Sequence, residues 1–333
     1  MLGLWQAVHM AVRGMTVWGK AAFAGAMTGV CMIWSVGMAS AFPQTPCINL
    51  GNALDAPYEG AWGAPISEAD FDWLAAAGFR SLRLPVRFDA GWQGRIDPAL
   101  LARVDEVIAQ ARARGFQVIL DLHHFDRLML DPDTYEDVFV AIWRELAEHF
   151  EGHDGALAFE LLNEPRDALT TPRALALYQR VIPIIRARHP DRWIIIGGGE
   201  MNSLGQMLSL PVPDNRTALT FHYYDPFAFT HQLADWLDAD MPAAQWGTAG
   251  ETAQVRQDMA RAAAVDAPVF LGEFGVTEAA PDAQRAAWVE TVRRAAEAQG
   301  IPWCYWAYRA GFGIIDPATN DWRPGMWHAL MAP

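Results

Sequence analysis

The chain has 333 residues, of which 52% are hydrophobic, and a formal net charge of −14. That length suits one large domain, and that composition supplies a sizeable core without covalent staples. No Lys/Arg-rich block occurs, so nucleic acid would find nothing to neutralise its phosphates, whereas a neutral polymer meets no such objection.

Residues 1–41 read as a leader. Arg13 and Lys20 precede an apolar stretch from Ala21 to Met38, followed by Ala39-Ser40-Ala41, a small-x-small cleavage pattern. A cleaved signal peptide is expected. An uncleaved anchor is the alternative, because the apolar run approaches spanning length, and only then would the protein meet a membrane. Residues 42–333 are expected to form a single domain, secreted or periplasmic and monomeric. Cys47 and Cys304 remain in it. Export permits a disulfide, but bridges between neighbouring strands are geometrically demanding, so two buried thiols are expected.

Short apolar runs then alternate with longer helical patterns. Strands are predicted at Cys47–Gly51, Ser81–Pro85, Gln117–Leu122, Ala158–Leu162, Trp193–Gly197, Ala218–Phe221, Pro268–Gly272 and Pro302–Trp306. Helices are predicted at Glu68–Ala77, Pro98–Arg114, Tyr135–Phe150, Pro172–His189 and Ala283–Gln299, several stopped by a glycine such as Gly78, Gly115 or Gly300. Eight strands alternating with helices predict a parallel sheet closed into a (β/α)8 TIM barrel. An open doubly wound sheet is disfavoured, since no dinucleotide-type glycine turn follows the first strand. No linker, repeat or second domain is read, so no appended binding module is expected.

Chemistry in such barrels sits where the strands end. The predicted strand ends carry Arg83, then Asp121 with His123 and His124, then Asn163 and Glu164, then His222 and Tyr224, then Glu273, then Trp306. Two glutamates on one rim suit glycosidic cleavage, which needs one protonated acid and one ionised carboxylate. Arg83 would hold a nucleophile ionised. Adjacent strand residues point to opposite sides, so His123 and His124 are not expected to share a metal ion; no metal or other cofactor is expected. Tryptophans number 15, and aromatic faces suit sugar rings. Trp306 is the expected platform, while Trp62, Phe227, Phe229 and Trp236 serve either packing or substrate contact.

These residues resemble glycoside hydrolase family 5, the cellulase A family, over about Cys47 to Leu330. The segments Phe159-Glu160-Leu161-Leu162-Asn163-Glu164-Pro165 and Leu271-Gly272-Glu273-Phe274-Gly275 match its two catalytic signatures, and Asn49-Leu50-Gly51-Asn52-Ala53-Leu54 resembles bacterial endoglucanases and mannanases. The resemblance implies Glu164 as acid/base and Glu273 as nucleophile of a retaining, endo-acting enzyme. It implies Arg83 beneath the nucleophile, Asn163 on the sugar 2-hydroxyl, His123 and His222 lining the cleft, Tyr224 beside the nucleophile and Trp306 stacking on substrate. Asn52, Asp55 and Trp236 are further expected substrate contacts. The implied substrate is a β-1,4-glucan, with mannan or xyloglucan as alternatives and a non-catalytic carbohydrate-binding barrel as a different class. Two departures bear on the choice: relatives often carry Glu where Asp55 and Ala307 stand.

Overall fold

The computed structural model describes residues 43–234, 236–237 and 241–333; the expected leader lies outside them. The strands are β1 (Cys47–Asn49), β2 (Ser81–Val86), β3 (Gln117–Leu122), β4 (Leu157–Glu160), β5 (Ile194–Gly197), β6 (Thr217–Tyr223), β7 (Val269–Phe274) and β8 (Cys304–Tyr305). All pair in parallel in the order 7-6-5-4-3-2-1-8, and a bridge between Leu271 and Trp303 joins the two ends. The chain therefore forms the closed (β/α)8 barrel.

Main crossover helices are α1 (Glu68–Ala77), α2 (Pro98–Ala113), α4 (Pro132–His149), α5 (Thr171–Arg188), α9 (Ala249–Ala263) and α10 (Asp282–Ala298). Shorter ones are α3 (Asp126–Leu130), α7 (Leu204–Met207), α8 (Phe227–Thr230) and the C-terminal α11 (Met326–Met331), while α6 (Gly199–Asn202) is a single turn with left-handed residues. Their starts follow capping chemistry. Asp97 and Asp131 accept from the first turns of α2 and α4, each with proline just inside the helix, and Thr248 and Glu251 form a reciprocal box opening α9. Gly78 ends α1 with φ 101°, a conformation that a Cβ would penalise. Beyond β8, β9 (Ile315–Asp316) and β10 (Asp321–Trp322) form a small antiparallel pair that sequence patterning did not anticipate.

Strand alternation builds the barrel interior in layers. Asn49, Arg83, Asp121 and Glu160 form a buried polar layer towards the C-terminal ends. Two residues earlier on β1 and β3, Cys47 and Ile119 join Ile195, Ala218, Phe270 and Cys304 in a separate apolar cluster. Cys47 and Cys304 are register partners with Cα atoms 4.3 Å apart, and they are bridged. The expectation of two free thiols is thus corrected. Both side chains leave paired positions towards the same interior, so the geometric demand on neighbouring strands is met.

One irregularity positions the chemistry. Phe221 pairs with Leu271, but the next residue, His222, pairs with Glu273, so Gly272 is the extra residue of a bulge in β7. Without it, Glu273 would sit on the face opposite His222. A Cβ on Gly272 would lie 2.6 Å from Thr220 Oγ1 and 3.2 Å from His222 Nε2, so only glycine fits under that imidazole.

Candidate active site

Glu273 stands within β7, while Glu164 follows β4 with its backbone left-handed, φ 47°. Such a conformation costs about 1–3 kcal/mol in a residue with a Cβ and persists where surrounding structure over-determines it. The two carboxylates meet at His222: Nδ1 is 2.7 Å from Glu164 Oε1 and 3.5 Å from Glu273 Oε2. One oxygen of each glutamate lies within 4.8 Å of the other.

Arg83 organises the floor. Fully buried, it contacts Glu273 Oε1 at 2.7 Å, Asn49 Oδ1 at 2.9 Å and Asn163 Oδ1 at 2.8 Å through N–H donors. It also grips Glu160 through two bonds of 2.7 and 2.9 Å and lies 3.0 Å from Asp121. Burial alone would lower its pKa, but Asp121, Glu160 and Glu273 outweigh that and hold it charged. Tyr224 donates to Glu273 Oε2 at 2.9 Å.

Burial pushes both carboxyls up to about 7. Their direct partners separate them. Glu273 receives Arg83 on one oxygen and Tyr224 on the other, whereas Glu164, half-buried, has His222 against Oε1. Donors favour the ionised form, so a proton shared by the coupled pair resides on Glu164. This is the division of labour that glycosidic cleavage requires: a protonated acid beside an ionised nucleophile, at a spacing too short to hold a water between them.

The cleft above this pair has a volume of about 560 Å³ and is lined by Asn52, Trp62, His123, His124, Tyr224, His231, Trp236, Trp306 and Phe312. His123 stacks on Trp306 with rings 5.5 Å apart and 2° from parallel, and its Nδ1 sits 2.5 Å from Asp121 Oδ2. Trp306 in turn needs Gly51, where a Cβ would come within 2.4 Å of the indole. Trp236 is 54% exposed and packs on Phe312. Phe227 stacks on His231, while Phe229 is buried against Trp246 and has no part in the cleft wall.

Two expectations need correction. Asp55 does not face the cleft: it is fully buried, and its oxygens accept from the backbone N–H groups of Asn52 and Ala53. Its place is that of a support for the Asn52 loop. His123 and His124 do not diverge, because β3 ends at Leu122 and strand alternation ends with it; their rings are 4.5 Å apart. With Asp55 they form a group whose ligand atoms lie within 4.8 Å of one another. Burial first, with neighbouring cations, depresses both imidazoles, so they are neutral near pH 7.

Several residues of this site were not singled out from sequence. Glu160 and Asn49 carried a signal, each being a polar residue inside an apolar strand and hence in need of a buried partner. His231, Phe312 and Asn202 carried none, since they come from loops that only the closed barrel brings to the rim.

Residues 48–311 match the family model described as cellulase (glycosyl hydrolase family 5). The chain belongs to glycosyl hydrolase family 5. Among its family 5 relatives, endoglucanase H of Acetivibrio thermocellus is 35% identical over 284 residues, covering 80% of this chain and 30% of that protein. The chain thus spans about a third of the length of that longer relative. Two solved structures agree closely. A hyperthermophilic endo-beta-1,4-glucanase in complex with substrate is 36% identical with a TM-score of 0.83, over 86% of this chain and 96% of that one. Cel5A of Thermotoga maritima in complex with cellobiose is 32% identical with a TM-score of 0.82, over 86% and 96%.

Proposed function

We propose that this family 5 chain is a retaining endo-β-1,4-glucanase. The observation that carries the mechanism is the spacing of Glu164 and Glu273, with oxygens within 4.8 Å of each other. Retaining glycosidases hold such carboxyls about 5–5.5 Å apart, inverting ones about 6.5–9.5 Å. Glu273 Oε2 attacks the anomeric carbon while Glu164 protonates the departing glycosidic oxygen, giving a covalent glycosyl-enzyme and a free chain end. Glu164, now ionised, takes a proton from water, whose oxygen attacks the same carbon and releases Glu273. The open cleft walled by Trp306, His123 and Trp62 suits internal stretches of a polymer, and the glucan backbone is supported by relatives named as endoglucanases.

Reducing-sugar release from carboxymethylcellulose, barley β-glucan, glucomannan and galactomannan, beside Glu273→Gln, tests the substrate. Loss of glucan hydrolysis in the variant is expected, with retained configuration in the first product seen by NMR. Initial inversion would remove Glu273 as nucleophile. Hydrolysis of mannans is a second reading, supported by a complex of Thermotoga maritima Cel5A with mannotriose; activity on galactomannan alone would select it. Export is proposed from Ala39-Ser40-Ala41 and is supported by the Cys47–Cys304 bridge, which suits an oxidising compartment.

A further inference from the structure

After β5 the chain runs through Gly197, Gly198 and Gly199 and then makes a turn unlike any other in the described residues. Glu200, Met201 and Asn202 are all left-handed, with φ of 51°, 58° and 55°. Each such residue with a Cβ is strained, so three in succession require support from their surroundings. The turn aims one side chain. Asn202 is fully buried, and its amide fills the space Gly197 leaves: a Cβ on Gly197 would lie 2.0 Å from Asn202 Oδ1. From there Asn202 Nδ2 is 3.4 Å from His222 Nε2, the ring nitrogen facing away from the catalytic carboxylates.

An amide N–H can only donate, so Nε2 accepts and the imidazole proton resides on Nδ1. We infer that Asn202 is a positioning residue that holds His222 as the Nδ1–H tautomer, keeping a donor on Glu164 throughout the double displacement. The inference rests on the acid/base role proposed above. Its chemical consequence is specific. The Nδ1–H group stabilises Glu164 as a carboxylate, the form left after the acid step and needed for the base step. The other tautomer would offer a lone pair, which would draw the Glu164 proton away from the glycosidic oxygen.

The charged and titratable groups that face His222 are Glu164 and Glu160 from the β4 end, Glu273 from β7, Arg83 from β2 and His123 after β3, with Tyr224 bonded to Glu273 beside them. Arg166 adds a positive charge near Glu164. An Asn202→Gly change alters none of them and keeps the left-handed backbone without strain, so it isolates the amide.

The test uses the full chain with 15N-labelled histidine. Wild type is expected to show His222 with a protonated Nδ1 and an unprotonated Nε2; Asn202→Gly should show a mixture, and Asn202→Asp, which places an acceptor at Nε2, the reverse. With the lock removed, the alkaline limb of kcat/KM on a cello-oligosaccharide should rise by about half a pH unit or more, and kcat should fall about tenfold with KM kept. A merely structural role would lower the melting temperature and leave the limb in place. Nε2 protonation in wild type, or an unchanged tautomer in Asn202→Gly, overturns the inference. Absence of hydrolysis in wild type on every β-glucan would defeat the functional reading instead, while the ring-nitrogen result would still decide the tautomer.

Discussion

Tyr224 donates to Glu273 on Oε2, the oxygen that Arg83 leaves free while it holds Oε1. The proposed nucleophile is therefore tethered at both oxygens, and the oxygen free of Arg83 is the one held by a neutral donor. Arg83 fixes the position of the carboxylate, and Tyr224 aims it.

Tyr224→Phe removes that donor with little change in shape. Hydrogen bonds to charged groups contribute about 1.5–3 kcal/mol, so kcat should fall about ten- to a hundredfold. Glu273 loses a group that favours its ionised form, so the acidic limb of kcat/KM should also move up. Steady-state rates across pH check this; an unchanged acidic limb would exclude Tyr224 from aiming the nucleophile.

Arg83→Met should damage stability as well as rate. It leaves Glu273, Glu160 and Asp121 together in the interior with their shared cation gone. Removing one partner from a buried charge network costs about 3–5 kcal/mol. Urea unfolding would measure it; a loss of activity with full stability would mean that the three carboxyls simply take up protons.

The pH dependence of stability holds two opposing sets of groups. Burial raises Asp55 to about 6 and Asp121 and Glu164 to about 7, so the folded chain retains protons that the unfolded chain releases near pH 4. Those groups make stability fall as pH rises through that window. His124, His222 and His231, depressed by burial to between about 3 and 4, act in the opposite sense up to about pH 6.5. Glu164→Gln removes one member of the first set. Its melting temperature relative to wild type should climb between about pH 4.5 and 7 and then level off, and a constant difference would show that Glu164 titrates as an ordinary carboxyl.

The Cys47–Cys304 bridge joins the first and last strands across 257 residues. A disulfide typically contributes about 2–4 kcal/mol. Cys47→Ala with Cys304→Ala should lower the unfolding free energy by that order while sparing kcat, because the bridge lies in the apolar layer below the polar one. Loss of activity at temperatures where the double variant is fully folded would count against that separation.

Gly51→Ala places a methyl group 2.4 Å from the Trp306 indole. Displacing the platform should raise KM more than it lowers kcat. Oligosaccharide binding by calorimetry checks this, and unaltered affinity would remove Trp306 from the sugar-stacking role.

The strand and helix periods were legible along the chain, and β3 and α1 appear with the bounds their residues predict. Glu164, Glu273, Arg83, His222 and Tyr224 were legible because each polar residue closes an apolar run, and a barrel gathers such ends on one rim. Asp55 was misplaced for a local reason: its carboxylate bends back to its own loop's N–H groups, a choice invisible in composition. The disulfide was missed because thiol approach depends on strand register, which apolar periodicity does not encode.

Sequence by itself determined the barrel, its order of strands and the two glutamates, since periodicity and strand-end chemistry are properties of short segments. Tertiary structure alone decided the bulge at Gly272 that turns Glu273 towards His222, the sharing of Arg83 among Asp121, Glu160 and Glu273, and the approach of Asn202 to His222. Those relations join residues distant in the chain, and their energies exist only once burial removes water and leaves each polar group dependent on the partner that the closed barrel supplies.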